Sequence, residues 1–189
     1  EREFVVSTTT GLSLDPMFSA PKMRYLLDRV GAEASSDPRR VRIGTIDSWL
    51  VARLTGQSSY VIEAGNASRT LLLDLTTLQW SDEMCALFGV PVGRLPRVVA
   101  SNADFGATRG LGLLPDGVPI VGVLGDSHAA LFGHGCRTAS EGKATYGTGS
   151  SVMVPSGADR SVRPGASTTL AWLTDEPTYG HEGNIVASG

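Results

Sequence analysis

The sequence has few of the features that mark disulfide-stabilised, nucleic-acid-binding or membrane proteins. Its two cysteines, Cys85 and Cys136, lack metal-ligand spacing, which favours reduced structural thiols. The net charge is −3 and there is no basic or acidic run, so the charge pattern does not support nucleic acid or a membrane surface as a partner. No apolar run is long enough for a transmembrane helix, and no signal peptide is visible. We therefore expect a cytoplasmic protein.

The composition is that of a soluble globular protein. Hydrophobic residues make up 41% and charged residues 19% of 189 residues, enough for one large domain or two small ones. Three helices are predicted from capping residues and apolar periodicity, at Ser19 to Gly31, Thr45 to Gly56 and Ser81 to Gly89. In the second helix the pattern predicts a buried stripe of Ile46, Trp49, Leu50 and Leu54.

The texture of the chain changes near Gly135. Before it, residues 118–125 ("VPIVGVLG") predict a buried strand that leads directly into a helix. After Cys136, strand-like segments are separated by Gly, Ser and Pro turns, in "EGKATYGTGSSVMVP", "STTLAWL" and "PTYGHEGNIVASG". We predict mixed α/β structure up to this point and the opening sheet of a second domain after it.

Asp126 follows the predicted strand and stands where a helix begins. One interpretation is a helix N-cap, which contributes about 1 kcal/mol. The other is a catalytic base, because open α/β sheets place their active sites at the ends of strands. Periodicity by itself favours the cap.

The segment "TYGTGSS" carries a second candidate site. Gly147 and Gly149 would let backbone N–H groups approach a phosphate, and Thr148 would add a hydroxyl. An ordinary hairpin turn explains the same residues, and Gly-x-Gly is a weak signal. No Gly-Lys-Ser/Thr follows, so this is not a P-loop. His128 and His134 are six residues apart and do not share a helix face, which argues against a joint metal site, but His128 could line a pocket beside Asp126.

Five blocks together resemble the FGGY family of carbohydrate kinases, and its glycerol kinase branch most. They are "GTIDSWLVARLTG", "NASRTLLLDLTTLQWSDEMCALFGVP", "LPRVVASNADFGAT", "GDSHAALFGHGC" and "ATYGTGSSVMV". The resemblance implies an α/β, actin-like ATPase (ribonuclease H-like) fold, with sugar and nucleotide between two domains. It also implies Mg²⁺- and ATP-dependent phosphorylation of a hydroxyl of a polyol or sugar.

The resemblance also assigns roles to individual residues. Asp126 takes the place of the catalytic base and Ser127 that of a polyol contact, while residues 147–149 take the place of the turn that faces the ATP phosphates. The branch carries a Pro-Tyr-Phe-Ser block, and this chain has Met17 in place of the tyrosine. The branch carries Gly-Asp-Gln-Gln, and this chain has Ser127 and His128 in place of the two glutamines. The branch often has an aromatic residue at the position of Ser151. Met17, Ser127, His128 and Ser151 therefore predict a pocket reshaped for a polyol or sugar other than glycerol.

Family members are more than twice as long as this chain. We interpret residues 1–135 as the C-terminal part of the substrate-side domain and residues 136–189 as the start of the nucleotide-side domain. A piece of this kind is expected to be inactive on its own. It is also expected to leave apolar surface uncovered, through which it could associate as a homo-oligomer. The alternative function is a non-catalytic member of the same fold that binds a carbohydrate or a protein partner.

Overall fold

The computed structural model describes residues 2–30, 41–146 and 149–185, and of Ile185 the backbone only. The predicted helix end at Gly31 and the turn residues Gly147 and Thr148 lie outside these ranges. The helices are α1 (Arg2–Thr10), α2 (Ser19–Val30), α3 (Ile46–Leu54), α4 (Ala64–Ser68), α5 (Asp82–Phe88) and α6 (Asp126–Gly133), with a 3₁₀ turn at Val92–Arg94. The strands are β1 (Val61–Glu63), β2 (Leu73–Asp74), β3 (Gln79–Trp80), β4 (Arg97–Val99), β5 (Lys143–Tyr146), β6 (Ser150–Gly157), β7 (Ser167–Leu173) and β8 (Pro177–Ile185).

The strands form one larger sheet and two short pairs. β1 pairs with β4 in parallel, and β2 pairs with β3 in antiparallel. The strands after Cys136 form an antiparallel sheet in the order β5-β6-β8-β7, which confirms the strands predicted for this part of the sequence. β5 and β6 are neighbours, with Tyr146 opposite Ser150, so the Gly-Thr-Gly segment connects two antiparallel strands.

The larger sheet packs on the first part of the chain through buried hydrogen bonds. The Ser68 hydroxyl at the end of α4 lies 2.9 Å from the Thr169 hydroxyl on β7. On the neighbouring strand, the Tyr179 hydroxyl donates to the Leu75 carbonyl oxygen at 2.7 Å. Gly11 fits only as glycine, because its φ is +73° and a Cβ would lie 2.4 Å from the Thr168 carbonyl oxygen. The two parts of the chain thus share an apolar core that includes Ile62, Leu73, Leu170 and Tyr179.

Helix α5 begins and ends at the predicted residues. The Ser81 side chain accepts a hydrogen bond from the Met84 N–H at 3.2 Å, and Gly89 adopts the left-handed conformation that often ends helices. Met84 and Cys85 are buried on its inner face, and Cys85 and Cys136 are both buried free thiols.

Helix α3 forms where it was predicted, but the predicted buried stripe is wrong. Ile46 is 69% and Trp49 is 57% exposed, and Leu50 is also exposed. The helix instead buries Asp47 and Ser48, along with Val51 and Ala52. Asp47 faces inward because its carboxylate accepts the Glu63 N–H of β1 at 3.1 Å.

Residues 118–125 do not form the buried strand that their composition predicted. They make only an isolated bridge, Ala107 with Pro119, and Val121 is exposed. The segment runs beside residues 101–106 through individual hydrogen bonds, such as Phe105 N–H to the Ile120 carbonyl oxygen at 3.0 Å. Its apolar character therefore does not reflect pairing in a regular sheet. No helix in the described ranges is both long and apolar enough to cross a bilayer.

Candidate active site

Helix α6 carries Asp126 as its first residue. The N-cap is Gly125, and no side chain caps this helix end. The Asp126 carboxylate is exposed and accepts the neighbouring Ser127 N–H at 2.7 Å, so it does not make the i+2 or i+3 bond of an N-cap residue. Leu131 holds the helix in place, buried in a cluster with Met153 and Trp172. The carboxylate is therefore fixed at a rigid position and remains available to a ligand.

A cavity of about 180 Å³ lies beside the start of α6. It is lined by Asn66, Arg69, Gly125, Asp126, Ser127, His128, Met153 and Glu182. These residues come from α4 and the position after it, from α6, and from strands β6 and β8. The structure thus brings together three of the predicted site residues, Asp126, Ser127 and His128, with groups that the sequence analysis did not single out.

His128 is a neutral imidazole in the wall of this cavity. It is 4% exposed, and burial together with the positive charges of Arg69 and Lys143 lowers its pKa from 6.5 to about 4. Its Nδ1 atom is buried without a hydrogen-bond partner among the residues that the structure describes. A buried polar atom in this condition requires a water molecule or a ligand group.

Arg69 and Glu182 form an ion pair across the cavity wall. Arg69 Nη2 lies 2.8 Å from Glu182 Oε2, and the guanidinium group stacks over the Phe18 ring with its Cζ atom 5.3 Å from the ring centroid. The Arg69 side chain keeps 25% of its exposure, but its Nη1 atom is buried and finds no hydrogen-bond partner in the described ranges. The second amino group of this arginine is thus free to donate into the site.

Lys143 joins the start of helix α6 to strand β5, which precedes residues 147–149. Its side chain is buried, and its ammonium group donates to the Ser127 hydroxyl at 3.3 Å and to the Thr145 hydroxyl at 2.8 Å. Both partners are neutral hydroxyl groups. This places a positive charge beside Ser127 and Thr145.

A buried carboxylate, Glu63, supports the other side of the cavity. It is the N-cap of α4 and accepts the N–H groups of Gly65 and Asn66, each at 2.8 Å. It also accepts the Ser101 hydroxyl at 2.6 Å and the Asn66 side-chain amide at 3.1 Å. Burial raises the pKa of Glu63, while these hydrogen bonds lower it. The network fixes Asn66 beside Gly125, where a Cβ would lie 3.1 Å from Asn66 Oδ1.

The remaining predicted site residues lie elsewhere. Met17 lines a neighbouring cavity of about 400 Å³, which also includes Phe18, Arg163 and Glu182, so Glu182 borders both cavities. Ser151 lies on β6 opposite Thr145 and Asn184, and it lines neither cavity. Gly149 is exposed at the start of β6. No local pattern in the sequence indicates Arg69, Lys143 or Glu182, although each lies in or beside a segment with a predicted strand or a family-like block.

The described residues do not form a metal site on their own. They contain no group of three or more histidine, cysteine, aspartate or glutamate side chains placed to hold an ion.

The chain is similar to known carbohydrate kinases. The model for the N-terminal domain of the FGGY family of carbohydrate kinases matches residues 2–133. A glycerol kinase of Myxococcus xanthus is 46% identical over 190 residues, covering 97% of this chain and 38% of the relative. This chain therefore spans well under half the length of that relative.

Solved structures give the same result for the fold. The crystal structure of Plasmodium falciparum glycerol kinase with ADP superposes with a TM-score of 0.88 at 30% identity, over 97% of this chain and 37% of that one. A xylulose kinase from Rhodospirillum rubrum superposes with a TM-score of 0.85 over 100% of this chain and 38% of that one; at 19% identity it supports the fold alone. The architecture is part of an actin-like ATPase fold, and the chain belongs to the FGGY family of carbohydrate kinases.

Proposed function

We propose that the protein containing this chain transfers the γ-phosphoryl group of ATP to a hydroxyl of a polyol or sugar. The observation that carries the proposal is the exposed carboxylate of Asp126, held at the start of α6 over a polar cavity. A bond forms between the substrate oxygen and the γ-phosphorus, and the bond from that phosphorus to the ADP oxygen breaks. The substrate hydroxyl gives its proton to Asp126.

The position of Asp126 suits this role chemically. An alcohol is a weak acid, so in a loose phosphoryl-transfer transition state the base orients the hydroxyl and takes its proton late. Such a base contributes on the order of 10² to 10⁴ in rate. A solvent-exposed carboxylate with a single local hydrogen bond is free to form the new hydrogen bond to substrate.

ATP supplies the phosphoryl group, and Mg²⁺ accompanies its phosphates. We assign the phosphates to the turn at Gly147, Thr148 and Gly149, which connects β5 to β6. Support comes from Lys143, whose buried ammonium group lies on β5 and bonds to Ser127, next to the base. Its hydrogen-bond partners among the described residues are neutral hydroxyl groups, so this cation is suited to face a phosphate oxygen.

We propose that the substrate is a polyol or sugar other than glycerol. Met17, Ser127 and Ser151 stand where the family branch uses other residues to contact glycerol, and His128 follows Ser127 in the altered Gly-Asp-Ser-His block. Removing groups that bind a particular hydroxyl removes the preference for it. Ser127 and His128 line the Asp126 cavity, which supports their part in substrate binding, while Met17 lies in the adjoining one.

Steady-state kinetics on the longest natural chain that contains these residues tests the proposal. The panel is glycerol, erythritol, ribitol, xylitol, D-xylulose and D-gluconate, each with MgATP. We expect phosphorylation of at least one longer compound with a higher kcat/KM than glycerol. If glycerol gives the highest value, the specificity proposal is wrong. If a compound binds in a thermal-shift assay but none is phosphorylated, the non-catalytic alternative takes its place.

We further propose that the substrate-side domain ends at residue 135 and that the nucleotide-side domain begins at residue 136. The protein is proposed to act in the cytoplasm, where ATP is abundant and where thiols such as Cys85 and Cys136 stay reduced. A homo-oligomer is supported by the exposed apolar residues Ile46 and Trp49 of α3. Light scattering over a range of concentrations tests this last point, and a monomer at every concentration would contradict it.

A further inference from the structure

Two buried nitrogen atoms in the Asp126 cavity have no role in the fold. Arg69 Nη1 and His128 Nδ1 both lack hydrogen-bond partners in the described ranges, and both residues line the same cavity of about 180 Å³. Leaving a buried polar atom unpaired costs about 1–3 kcal/mol, so a fold rarely retains two of them side by side without a ligand or water molecule.

The two residues are held by unrelated contacts. His128 belongs to the first turn of α6, two residues after Asp126, whereas Arg69 directly follows α4. Arg69 is fixed by its ion pair with Glu182 on β8 and by the Phe18 ring. Because each side chain is anchored separately, their free nitrogen atoms form a preorganised pair.

From this geometry we infer that Arg69 and His128 form a hydroxyl-binding subsite, which selects substrates that carry a hydroxyl farther along the carbon chain than the three hydroxyls of glycerol. This inference rests on the proposed kinase function and adds Arg69 as a specificity-determining residue. The Arg69 guanidinium group donates a hydrogen bond to a substrate hydroxyl oxygen. The neutral His128 imidazole forms a second hydrogen bond, with the same hydroxyl or with the adjacent one.

The charges in the cavity favour a neutral ligand. Glu182 already compensates the positive charge of Arg69 at 2.8 Å, and Asp126 is offset by the ammonium group of Lys143, which bonds to the adjacent Ser127, so the charges around the cavity balance. The pKa of His128 is lowered to about 4, so its side chain is uncharged near neutral pH. A sugar acid would meet these two carboxylates, whereas a polyol or ketose hydroxyl would meet a donor and a neutral ring. The subsite therefore suits neutral polyhydroxy compounds.

The shape of the adjoining space agrees with a substrate longer than glycerol. The cavity of about 400 Å³ that contains Met17 shares Glu182 with the Asp126 cavity. A chain of hydroxyl-bearing carbons that starts at Asp126 and passes Arg69 is thus directed toward Met17.

The experiment compares Arg69→Met with Arg97→Met in the longest natural chain that contains these residues. Arg97 is an exposed arginine at the start of β4, lines neither cavity and serves as the matched control. We expect Arg69→Met to lower kcat/KM about tenfold to hundredfold for ribitol, xylitol or D-xylulose, and by less than about threefold for glycerol, the range of one hydrogen bond to a charged group. Arg97→Met should change neither value.

Several results would overturn the inference. Equal losses on glycerol and on the longer compounds would make Arg69 a purely structural residue. No loss on any compound would mean that water alone occupies the subsite. A higher kcat/KM for D-gluconate than for every neutral compound would contradict the inference that the subsite favours neutral substrates. If Arg69→Met does not fold, Arg69→Lys replaces it, because it keeps a positive charge for Glu182 but lacks the second amino group.

Calorimetric titration separates this inference from the kinase function. If the unsubstituted protein phosphorylates none of the compounds, the kinase proposal fails, but xylitol binding still reports on the subsite. Weaker xylitol binding in the Arg69 variant than in the Arg97 variant would then support the subsite. Equal binding in the two variants, or no binding of any compound to the unsubstituted protein, would contradict it.

Discussion

Two carboxylates stand at the starts of two helices, and their surroundings differ completely. Glu63 at α4 is fully buried, and its oxygens accept hydrogen bonds from two backbone N–H groups, a hydroxyl and an amide. Asp126 at α6 is exposed and accepts a single N–H, that of Ser127. The oxygens of Glu63 are occupied by hydrogen bonds within the fold, whereas those of Asp126 remain largely available to a ligand. A helix start is thus a structural position in one case and a candidate reactive position in the other.

The largest expected effect distinguishes the role of Asp126. Asp126→Asn keeps the size of the side chain but removes its charge and its capacity to take a proton. We expect kcat to fall by on the order of 10² to 10⁴. Stability in urea should change by less than about 1 kcal/mol, because the described contact of this exposed side chain is the local one to the Ser127 N–H, which an amide oxygen can keep. A variant that keeps the parental kcat would remove the catalytic role and weaken the comparison.

Glu63→Ala should show the opposite pattern. The substitution leaves the N–H groups of Gly65 and Asn66 and the Ser101 hydroxyl without their buried acceptor. We expect a loss of about 3 to 4 kcal/mol in the free energy of unfolding, measured by urea denaturation. Glu63→Gln keeps one acceptor oxygen and is the control, with a smaller loss. Equal stability of all three proteins would show that the network does not support the fold.

The two helix starts should also respond to pH in opposite directions. The raised pKa of Glu63 means that the folded state holds a proton that the unfolded chain has lost above about 4.5, so this residue lowers stability as pH rises through that window. The lowered pKa of His128 means that the unfolded chain binds a proton first between 6.5 and about 4, so this residue lowers stability as pH falls.

For His128 the loss across that range is at most about 3 kcal/mol, which follows from the size of the pKa shift. Urea denaturation at several pH values, with the parent, Glu63→Gln and His128→Asn, measures both slopes. Glu63→Gln should remove the loss of stability with rising pH, and His128→Asn should remove the loss with falling pH. If neither substitution changes the dependence of stability on pH, the burial of these groups does not determine it.

The smallest effect is expected at an exposed carboxylate with a purely structural partner. Asp28 pairs with Arg24 on the surface of α2, where the two side chains are 56% and 53% exposed. We expect Asp28→Asn to change stability by less than about 0.5 kcal/mol and kcat not at all. This variant shows how little an exposed carboxylate contributes when no ligand uses it. A clear loss of kcat here would show that exposure alone does not separate Asp126 from other carboxylates.

Local chemistry in the sequence was sufficient for much of the fold. Helix α5 begins after Ser81 and ends before Gly89 because both signals act on backbone groups only a few residues away. The strands after Cys136 and the family membership were also predicted from the sequence and are confirmed. The assignments of site residues and of the domain boundary stay predictions.

Which side chains are buried depends on what packs against each helix or strand, and the local sequence pattern does not contain that information. Helix α3 turns Asp47 inward and leaves Trp49 exposed because a carboxylate is needed beside the Glu63 N–H. Residues 118–125 are apolar but pair with an irregular segment, so they form no strand in the described structure.

The sequence by itself determined the family, the ends of helix α5 and the strand-forming segments after Cys136, because these follow from short-range capping, periodicity and recognisable blocks of residues. The tertiary structure alone decided which side chains meet around Asp126. Arg69 and Glu182 are more than a hundred positions apart, and they touch because β7, the neighbour of β8 in the sheet, packs on the end of α4. No capping rule or periodicity acts over such a distance, so the free nitrogen of Arg69 could be found only once the chain had folded.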